Sequence, residues 1–384
     1  MKRIRVLQIL EATIGGTKRN LLDLCSGLDP AEFDVHVACP RVRSEARGDT
    51  SFVADMKRVG VPVHVVPMVR RIDPLRDARA LASLAKLIRS GRFDIMHAHS
   101  SKAGFLGRFA ALADPKVRVI YSPHGFYYLN FDDPIRFNLF KLTERIHRAR
   151  TDKMITLSTG EYRKAVDDGL IDPARAALVE NGIDHVKCLS RAQARSRLTI
   201  PPDAMVVGTI SRFTPQKAPL DLVTVARELV AAHPHLVFAW LSDGEMRPQV
   251  EAAIKRYRLQ NNVVLTGHVE GARELIPAFD VFVLASIWEG LPYTIMEAMD
   301  ARVPIVATDV VGTQDVIDDG RTGFLVPPGR PREIAVRIRH LLTHKAEAAK
   351  IAEAARADVS TRFSLSEMVR RISTLYREVA GSTC

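Results

Sequence analysis

Short apolar runs alternate with stretches of helical period along almost the whole chain. Apolar runs of about four to eight residues bounded by turn residues are consistent with buried strands, and apolar residues recurring three and four apart mark one face of a helix. In the first half the runs predict strands over 3–10, 33–39, 62–66, 94–97, 117–122, 154–157 and 177–179, with helical patterns between them over 17–28, 75–90, 102–113 and 134–150. Strand and helix in alternation argue for a parallel sheet with right-handed crossovers. A second series of strands is predicted over 205–210, 236–240, 263–265, 281–284, 304–307 and 324–326. An α/β protein of two tandem, doubly wound units is the expected architecture. The polar stretch 191–203, with Pro201 and Pro202, links the two series, and no short-period repeat or low-complexity tract interrupts them.

Composition narrows the class. A length of 384 residues suits two domains with separate cores, and 47% hydrophobic with 26% charged residues is ordinary for a globular protein. Cys25, Cys39, Cys188 and Cys384 have no paired or metal-ligand spacing and are expected as free thiols in a reducing compartment. The charged start, Met1-Lys2-Arg3-Ile4-Arg5, is unlike a signal peptide, and no apolar run approaches the roughly 18 residues that span a bilayer. The expectation is a cytoplasmic protein, soluble or peripheral on the inner face of the cytoplasmic membrane. Residues 1–184 carry 30 Lys and Arg against 22 Asp and Glu, whereas residues 185–384 carry 25 against 22. A basic first half suits an anionic partner: nucleic acid, anionic lipid or a phosphorylated acceptor. A basic nucleic-acid-binding protein would need a recognisable binding module or interleaved aromatics, and the chain has neither.

The richest chemistry lies in Ser286-Ile287-Trp288-Glu289-Gly290-Leu291-Pro292-Tyr293-Thr294-Ile295-Met296-Glu297-Ala298. The preceding run Val281-Phe282-Val283-Leu284 is a strand, Gly290 and Pro292 end the extended segment, and helix-forming residues follow. One carboxylate therefore sits at a strand's carboxyl end and the other about one turn into the next helix. That edge of an open α/β sheet is where ligands bind. The segment, and its continuation through Val303-Pro304-Ile305-Val306-Ala307-Thr308 to Gly320-Arg321-Thr322-Gly323, resembles the Glu-x7-Glu region of retaining, nucleotide-sugar-dependent glycosyltransferases of the family-four type. Arg302 stands where that family usually has Gly, which implies an altered turn, and Asp315 stands where it often has Glu.

The resemblance implies a hexosyltransferase with a GT-B fold: two Rossmann-like domains with an interdomain cleft. It divides the chain into an acceptor-binding domain over 1–184, ending near Asn181-Gly182-Ile183-Asp184, and a nucleotide-sugar-binding domain over 185–364. A last helix within 365–384 would pack back on the first domain. Ser211-Arg212-Phe213-Thr214-Pro215-Gln216-Lys217 follows the first strand of the second sheet and matches the family's Arg-x4-Lys pair. A guanidinium fork and a mobile ammonium five residues apart suit one diphosphate, so Arg212 and Lys217 are expected to neutralise the leaving nucleoside diphosphate. The first strand ends in a glycine loop with Gly15 and Gly16 before a helix, where free N–H groups and a close backbone approach suit an anion. The resemblance puts that loop against the donor diphosphate and His124, in Pro123-His124-Gly125, near the donor sugar. It gives Glu297 the nucleotide ribose and Glu289 the sugar hydroxyls, helped by the N–H groups of Gly290 and Leu291, with Pro292 next in the same donor loop. It sets Gly267-His268-Val269 beside the base. UDP-sugar is preferred to GDP-sugar as donor. His97 and His99 lack a third ligand at metal spacing, and no Asp-x-Asp is present. No metal and no cofactor is expected. The mechanism implied is front-face displacement, with the departing phosphate helping to take the acceptor's proton.

The expected acceptor is a saccharide linked to a polyprenyl diphosphate, in surface or exopolysaccharide biosynthesis; a soluble small-metabolite acceptor is the alternative. Met68-Val69-Arg70-Arg71 and Ser100-Ser101-Lys102 follow strands and belong to loops of that side. Over 134–150, Ile135, Leu139, Leu142 and Ile146 form a stripe flanked by Arg136, Lys141, Arg145, Arg148 and Arg150. Such a helix suits an anionic membrane surface, or equally an ordinary core-facing position with a basic outside.

Overall fold

The computed structural model describes residues 2–42, 51–130, 133–185 and 187–381; Cys384 lies outside them. The chain forms two compact units, residues 1–182 with 365–384, and residues 183–364. The first contains β1 (Ile4–Leu10), β2 (Phe33–Cys39), β3 (Val63–Val65), β4 (Ile95–His99), β5 (Arg118–Ser122), β6 (Lys153–Thr156) and β7 (Ala176–Leu178). The second contains β8 (Val206–Arg212), β9 (Val237–Asp243), β10 (Val263–Leu265), β11 (Val281–Leu284), β12 (Ile305–Thr308) and β13 (Phe324–Val326).

Every named pairing is parallel, and the strand orders are β3-β2-β1-β4-β5-β6-β7 and β10-β9-β8-β11-β12-β13. In each unit the first strand lies inside the sheet, and the winding reverses beside it, between β1 and β4 and between β8 and β11. That reversal parts the loops at the strands' carboxyl ends and opens a crevice there. Both are Rossmann-like sheets. All four residues of β11 are buried, as are all four of β12, because helices cover both faces of a parallel sheet.

Three strands run two or three residues further than their apolar runs suggest. β4 continues to His99, β8 to Arg212 and β9 to Asp243. Their last residues are polar, so pattern alone ends the strands early. Ladder pairing between long central neighbours holds them extended, with Leu10 opposite His99 and Arg212 opposite Asp243. His99 and Arg212 are thus delivered to the carboxyl edges by regular strand rather than by loop.

The Leu365–Gly381 helix belongs to the first unit. Its Met368, Val369, Ile372, Tyr376 and Val379 recur at helical spacing and are buried in one cluster with Val6, Ile95, Ile120 and Ile155 from the sheet. The turn at Arg302 is not altered in the way the sequence suggests. Arg302 takes φ of 55°, the left-handed conformation a glycine would adopt, and its exposed guanidinium pairs with Glu353 at 2.7 Å.

Candidate active site

At the reversal point of the second unit, two loops are sewn together. The loop after β8 carries Gln216, whose carbonyl accepts from Ile287 N at 2.8 Å and whose side-chain amide donates to Trp288 O at 3.1 Å. The next residue, Lys217, forms an ion pair with Glu289 from the loop after β11. Glu289 is only 7% exposed, and the same carboxylate oxygen, Oε1, accepts from Ser286 Oγ. Ser286 is held in turn: its carbonyl accepts from Thr308 Oγ1 at the end of β12, and Thr313 Oγ1 donates to Thr308 O at 2.6 Å. A buried carboxylate without such partners would be costly to keep ionised. The lysine and the hydroxyl ladder provide the partners and fix its position.

Arg212, half-buried, ends β8, and Phe213 N donates to Asp243 O at 2.9 Å. Gly290, Leu291 and Pro292 are buried and lead into the Tyr293–Asp300 helix, whose N-terminus has no side-chain cap. Glu297 lies one turn into that helix, 7% exposed. The structure thus brings Arg212, Lys217, Glu289 and Gly290 to one edge. His268 and Val269 lie further along it, after edge strand β10, His268 exposed and Val269 half-buried. Thr214 Oγ1 and Trp288 Nε1 are buried in these loops with no protein hydrogen-bond partner.

Sequence reasoning misses the glycines that let these loops close. Gly312 has φ of 88°, and a Cβ there would fall 2.3 Å from Gly290 O. A Cβ on Gly244 would fall 2.3 Å from Phe213 O. Each is a bare backbone pressed on the backbone of a site loop. Ser286, Gln216 and Thr313 are missed too, because lone hydroxyls and amides carry no spacing signal of their own.

In the first unit, Gly15 and Gly16 are exposed at the start of the Gly15–Gly27 helix. That N-terminus has no side-chain cap, and the nearby Thr13 Oγ1 is buried without a partner. His124 follows β5 with φ of 54°. A non-glycine residue held in this conformation costs about 1–2 kcal/mol, and the surroundings hold it. Gly125 N donates to Glu161 Oε1 at 2.7 Å, while Leu157 N donates to Oε2 at 2.7 Å. His124 Nε2 lies 2.9 Å from His99 Nδ1. Burial lowers His124 to about 4 and His97 to about 3, and pushes His99 well below the ordinary value. All three imidazoles are neutral at pH 7. Among the described residues no group of three or more His, Cys, Asp or Glu has metal-holding geometry.

The inward side of the Pro134–Ile146 helix carries Phe137 and Phe140, which pack against the core of the first unit, and the buried Glu144, which accepts from Arg108 Nη2 at 2.6 Å and from Tyr121 Oη at 3.0 Å. Ile135, Leu139, Leu142 and Ile146 are instead 78%, 55%, 54% and 55% exposed. The core-facing alternative therefore fails for this stripe. The basic flank is smaller than the sequence suggests. Lys141 is taken by Asp168 at 2.5 Å, and Arg150 donates to the carbonyls of Ala111, Asp114 and Val117. Arg136, Arg145 and Arg148 remain exposed. Lys102 is likewise tied to Asp77, at 2.5 Å. Asp315 is half-buried after β12, its carbonyl accepting from Arg362.

A family model described as "Glycosyl transferase 4-like domain" matches residues 15–182, and one described as "Glycosyl transferases group 1" matches residues 204–344. The chain is 26% identical over 332 residues to the UDP-Gal:alpha-D-GlcNAc-diphosphoundecaprenol alpha-1,3-galactosyltransferase of Escherichia coli, covering 84% of each chain. It is 24% identical over 320 residues to the capsular polysaccharide biosynthesis glycosyltransferase CapM of Staphylococcus aureus, covering 82% of this chain and 84% of that one. Among solved structures, Anabaena HepE in complex with UDP-glucose superposes with a TM-score of 0.83 at 21% identity, covering 98% of this chain and 100% of the other.

Proposed function

Since the chain belongs to the family-four type of glycosyltransferases, we propose that this hexosyltransferase moves a hexose or N-acetylhexosamine from a UDP-sugar to a saccharide carried on a polyprenyl diphosphate, with retention of the donor's anomeric configuration, in surface polysaccharide assembly. The observation that carries this reading is the Lys217–Glu289 pair across the reversal point of the second sheet. It joins a cation suited to a diphosphate to a carboxylate suited to sugar hydroxyls. The Escherichia coli relative takes a lipid-diphosphate acceptor by its name, and HepE holds UDP-glucose.

In this reading Arg212 and Lys217 neutralise the charge that develops on the diphosphate as the sugar's C1–O bond breaks. Cations fixed in advance at that position act without reorganisation when the charge appears. Glu289 accepts from sugar hydroxyls, the N–H groups of Gly290 and Leu291 donate to the donor, and Glu297 accepts from the ribose. Pro292 turns the loop into the uncapped helix start. Gly267, His268 and Val269 serve the base, Gly15 and Gly16 the diphosphate, and His124 the sugar. The acceptor hydroxyl attacks C1 from the leaving group's face, and its proton passes to the departing phosphate oxygen. The two cations stand in for a divalent metal.

Transfer from a panel of UDP-hexoses to a short saccharide on a polyprenyl diphosphate tests this. The anomeric coupling constant of fresh product will match the donor's, and turnover will survive EDTA. An inverted anomer, or complete EDTA inactivation reversed by manganese, defeats the mechanism. Full turnover on a water-soluble acceptor without the lipid diphosphate replaces the acceptor reading with a small metabolite.

The outward apolar stripe of the Pro134–Ile146 helix is where the protein meets the anionic membrane that holds such an acceptor. Four exposed apolar side chains beside exposed arginines match the chemistry of an anionic bilayer surface, at about 1 kcal/mol per cation. The protein will float with phosphatidylglycerol-containing liposomes at low salt and far less at high salt. A variant with Ile135, Leu139, Leu142 and Ile146 all changed to Ser will stay with the soluble fraction while keeping its melting temperature, because all four side chains are exposed already. Equal flotation of both proteins removes this surface from the membrane.

A further inference from the structure

A chain of hydrogen bonds runs from His124 back through the first unit to its last helix. His124 Nε2 meets His99 Nδ1 at 2.9 Å, and His99 Nε2 meets Gln8 Oε1 at 2.9 Å. Gln8 Nε2 donates to Tyr376 Oη at 2.8 Å. Tyr376 Oη meets His97 Nδ1 at 2.7 Å, and His97 Nε2 meets Ser122 Oγ at 2.8 Å. Gln8, His97, His99, Ser122 and Tyr376 are all buried. The rings are close-packed as well: the His97 and His99 centroids are 4.0 Å apart, and those of His99 and His124 are 5.2 Å apart.

A neutral imidazole has one N–H donor and one lone-pair acceptor. Gln8 therefore sets the direction of the whole chain. Its oxygen must accept, so His99 Nε2 carries the proton. His99 Nδ1 is then a lone pair, so His124 Nε2 must carry the proton it accepts. On the other side, the Tyr376 hydroxyl accepts from Gln8 and donates to His97 Nδ1, which leaves His97 Nε2 to donate to Ser122. Each link donates once and accepts once. Burial keeps the three rings neutral and raises the Tyr376 phenol well above its ordinary value, so none of these protons is lost near pH 7.

We propose that Tyr376, Gln8 and His99 are positioning residues that lock His124 as the Nε2–H tautomer, leaving Nδ1 as an acceptor for a hydroxyl group of the donor sugar. The proposal rests on the reading that His124 serves that sugar. It gives the Leu365–Gly381 helix a task beyond packing: it supplies the one hydroxyl that joins the two halves of the chain. Without that hydroxyl, Gln8 Nε2 loses its acceptor and His97 Nδ1 its donor. With the hydroxyl in place the amide can turn over only if Tyr376 and His97 reverse with it; without it the amide turns over independently of them, and reversing it reverses every proton up to His124. The wrong tautomer would present an N–H to the sugar instead of a lone pair.

The test combines tautomer spectroscopy with kinetics on the full chain labelled with 15N-histidine. Long-range 1H–15N spectra, with the His124 signals assigned by their loss in His124→Gln, will show a protonated Nε2 and an unprotonated Nδ1 at pH 7. Tyr376→Phe will give a mixture of tautomers at His124. Tyr376→Phe and His99→Leu will lower kcat by about 10- to 100-fold, the usual scale for groups that orient a functional side chain, with the Kd for UDP unchanged. His99→Asn, whose side-chain amide oxygen can take the place of Nδ1 as acceptor, will recover most of the loss. A protonated Nδ1 in the wild-type protein, or a His124 tautomer unmoved in both Tyr376→Phe and His99→Leu, overturns the proposal. A parallel loss of UDP binding also overturns it, because that marks a merely structural role. If Tyr376→Phe does not fold, the wild-type tautomer and the contrast between His99→Leu and His99→Asn decide the matter. Failure of the underlying reading is distinct: His124→Gln would then turn over normally, whatever its neighbours do.

Discussion

Lys217→Ala will bind UDP about 10- to 150-fold more weakly and lose about 100- to 1,000-fold in kcat/KM. The first figure follows from a charge-assisted contact of about 1.5–3 kcal/mol. The second follows from charge that grows as the diphosphate departs, for which a fixed donor contributes about 3–4 kcal/mol. The Lys217–Glu289 ion pair makes the two single variants separable. Glu289→Gln releases Lys217 from a competing anion, so UDP will bind as well as before or more tightly. Transfer from the intact UDP-sugar will nevertheless collapse, because the charged acceptor for the sugar hydroxyls is gone. In that variant Ser286 Oγ keeps an acceptor in the carbonyl oxygen of the new amide, so the loop holds. Calorimetric titration of UDP against both variants, with melting temperatures as a control, checks this. Unchanged UDP affinity in Lys217→Ala would remove the lysine from the diphosphate.

Gly312→Ala will lose about 100-fold or more in kcat/KM, whereas Gly320→Ala will keep its activity. Both glycines have left-handed backbones, with φ of 88° and 76°. Each substitution therefore carries the same backbone penalty of about 1–2 kcal/mol. They differ in what the new methyl meets. At Gly320 nothing lies within 4 Å, whereas at Gly312 the methyl would stand 2.3 Å from Gly290 O and 2.8 Å from Gly290 C. The Glu289-Gly290 backbone must then retreat, and displacement of reacting groups by about 1 Å costs on the order of 100-fold. Steady-state kinetics and thermal melts of the two variants make the comparison. Equal activity in both would mean that the close approach of these loops is not used in catalysis.

The residues that carry charge at the site are legible because they fall in ordered places in the pattern. Glu289 follows an apolar run, Glu297 lies one turn into a helix, and Arg212 and Lys217 bracket a strand-to-helix turn. What pattern does not supply is which of them touch. Lys217 and Glu289 are 72 residues apart, and only the crossover that brings β11 beside β8 joins them. Their ion pair is a property of that crossover, not of either segment.

The Pro134–Ile146 helix shows the same limit from the other side. Its period of apolar positions is plain in the sequence, but period says only that one face is apolar, not which way the face is turned. Here Phe137 and Phe140 pack against the core and the buried Glu144 pairs with Arg108 of another helix, which leaves the Ile135, Leu139, Leu142 and Ile146 stripe outside.

By itself, the sequence determined the alternation of strand and helix, the two parallel sheets, the charged residues at their carboxyl edges and the family. These rest on local periodicity and on motifs within one strand-turn-helix, which short-range sterics and burial enforce. Tertiary structure alone decided that β4, β8 and β9 extend through polar residues, that Gly312 and Gly244 admit neighbouring backbone, that an apolar stripe faces outward, and that Tyr376 reaches His124 through Gln8 and His99. Each of these depends on groups distant in the chain meeting at hydrogen-bond or van der Waals range, where one atom's presence or absence settles the outcome. No pattern read along a single segment contains that information.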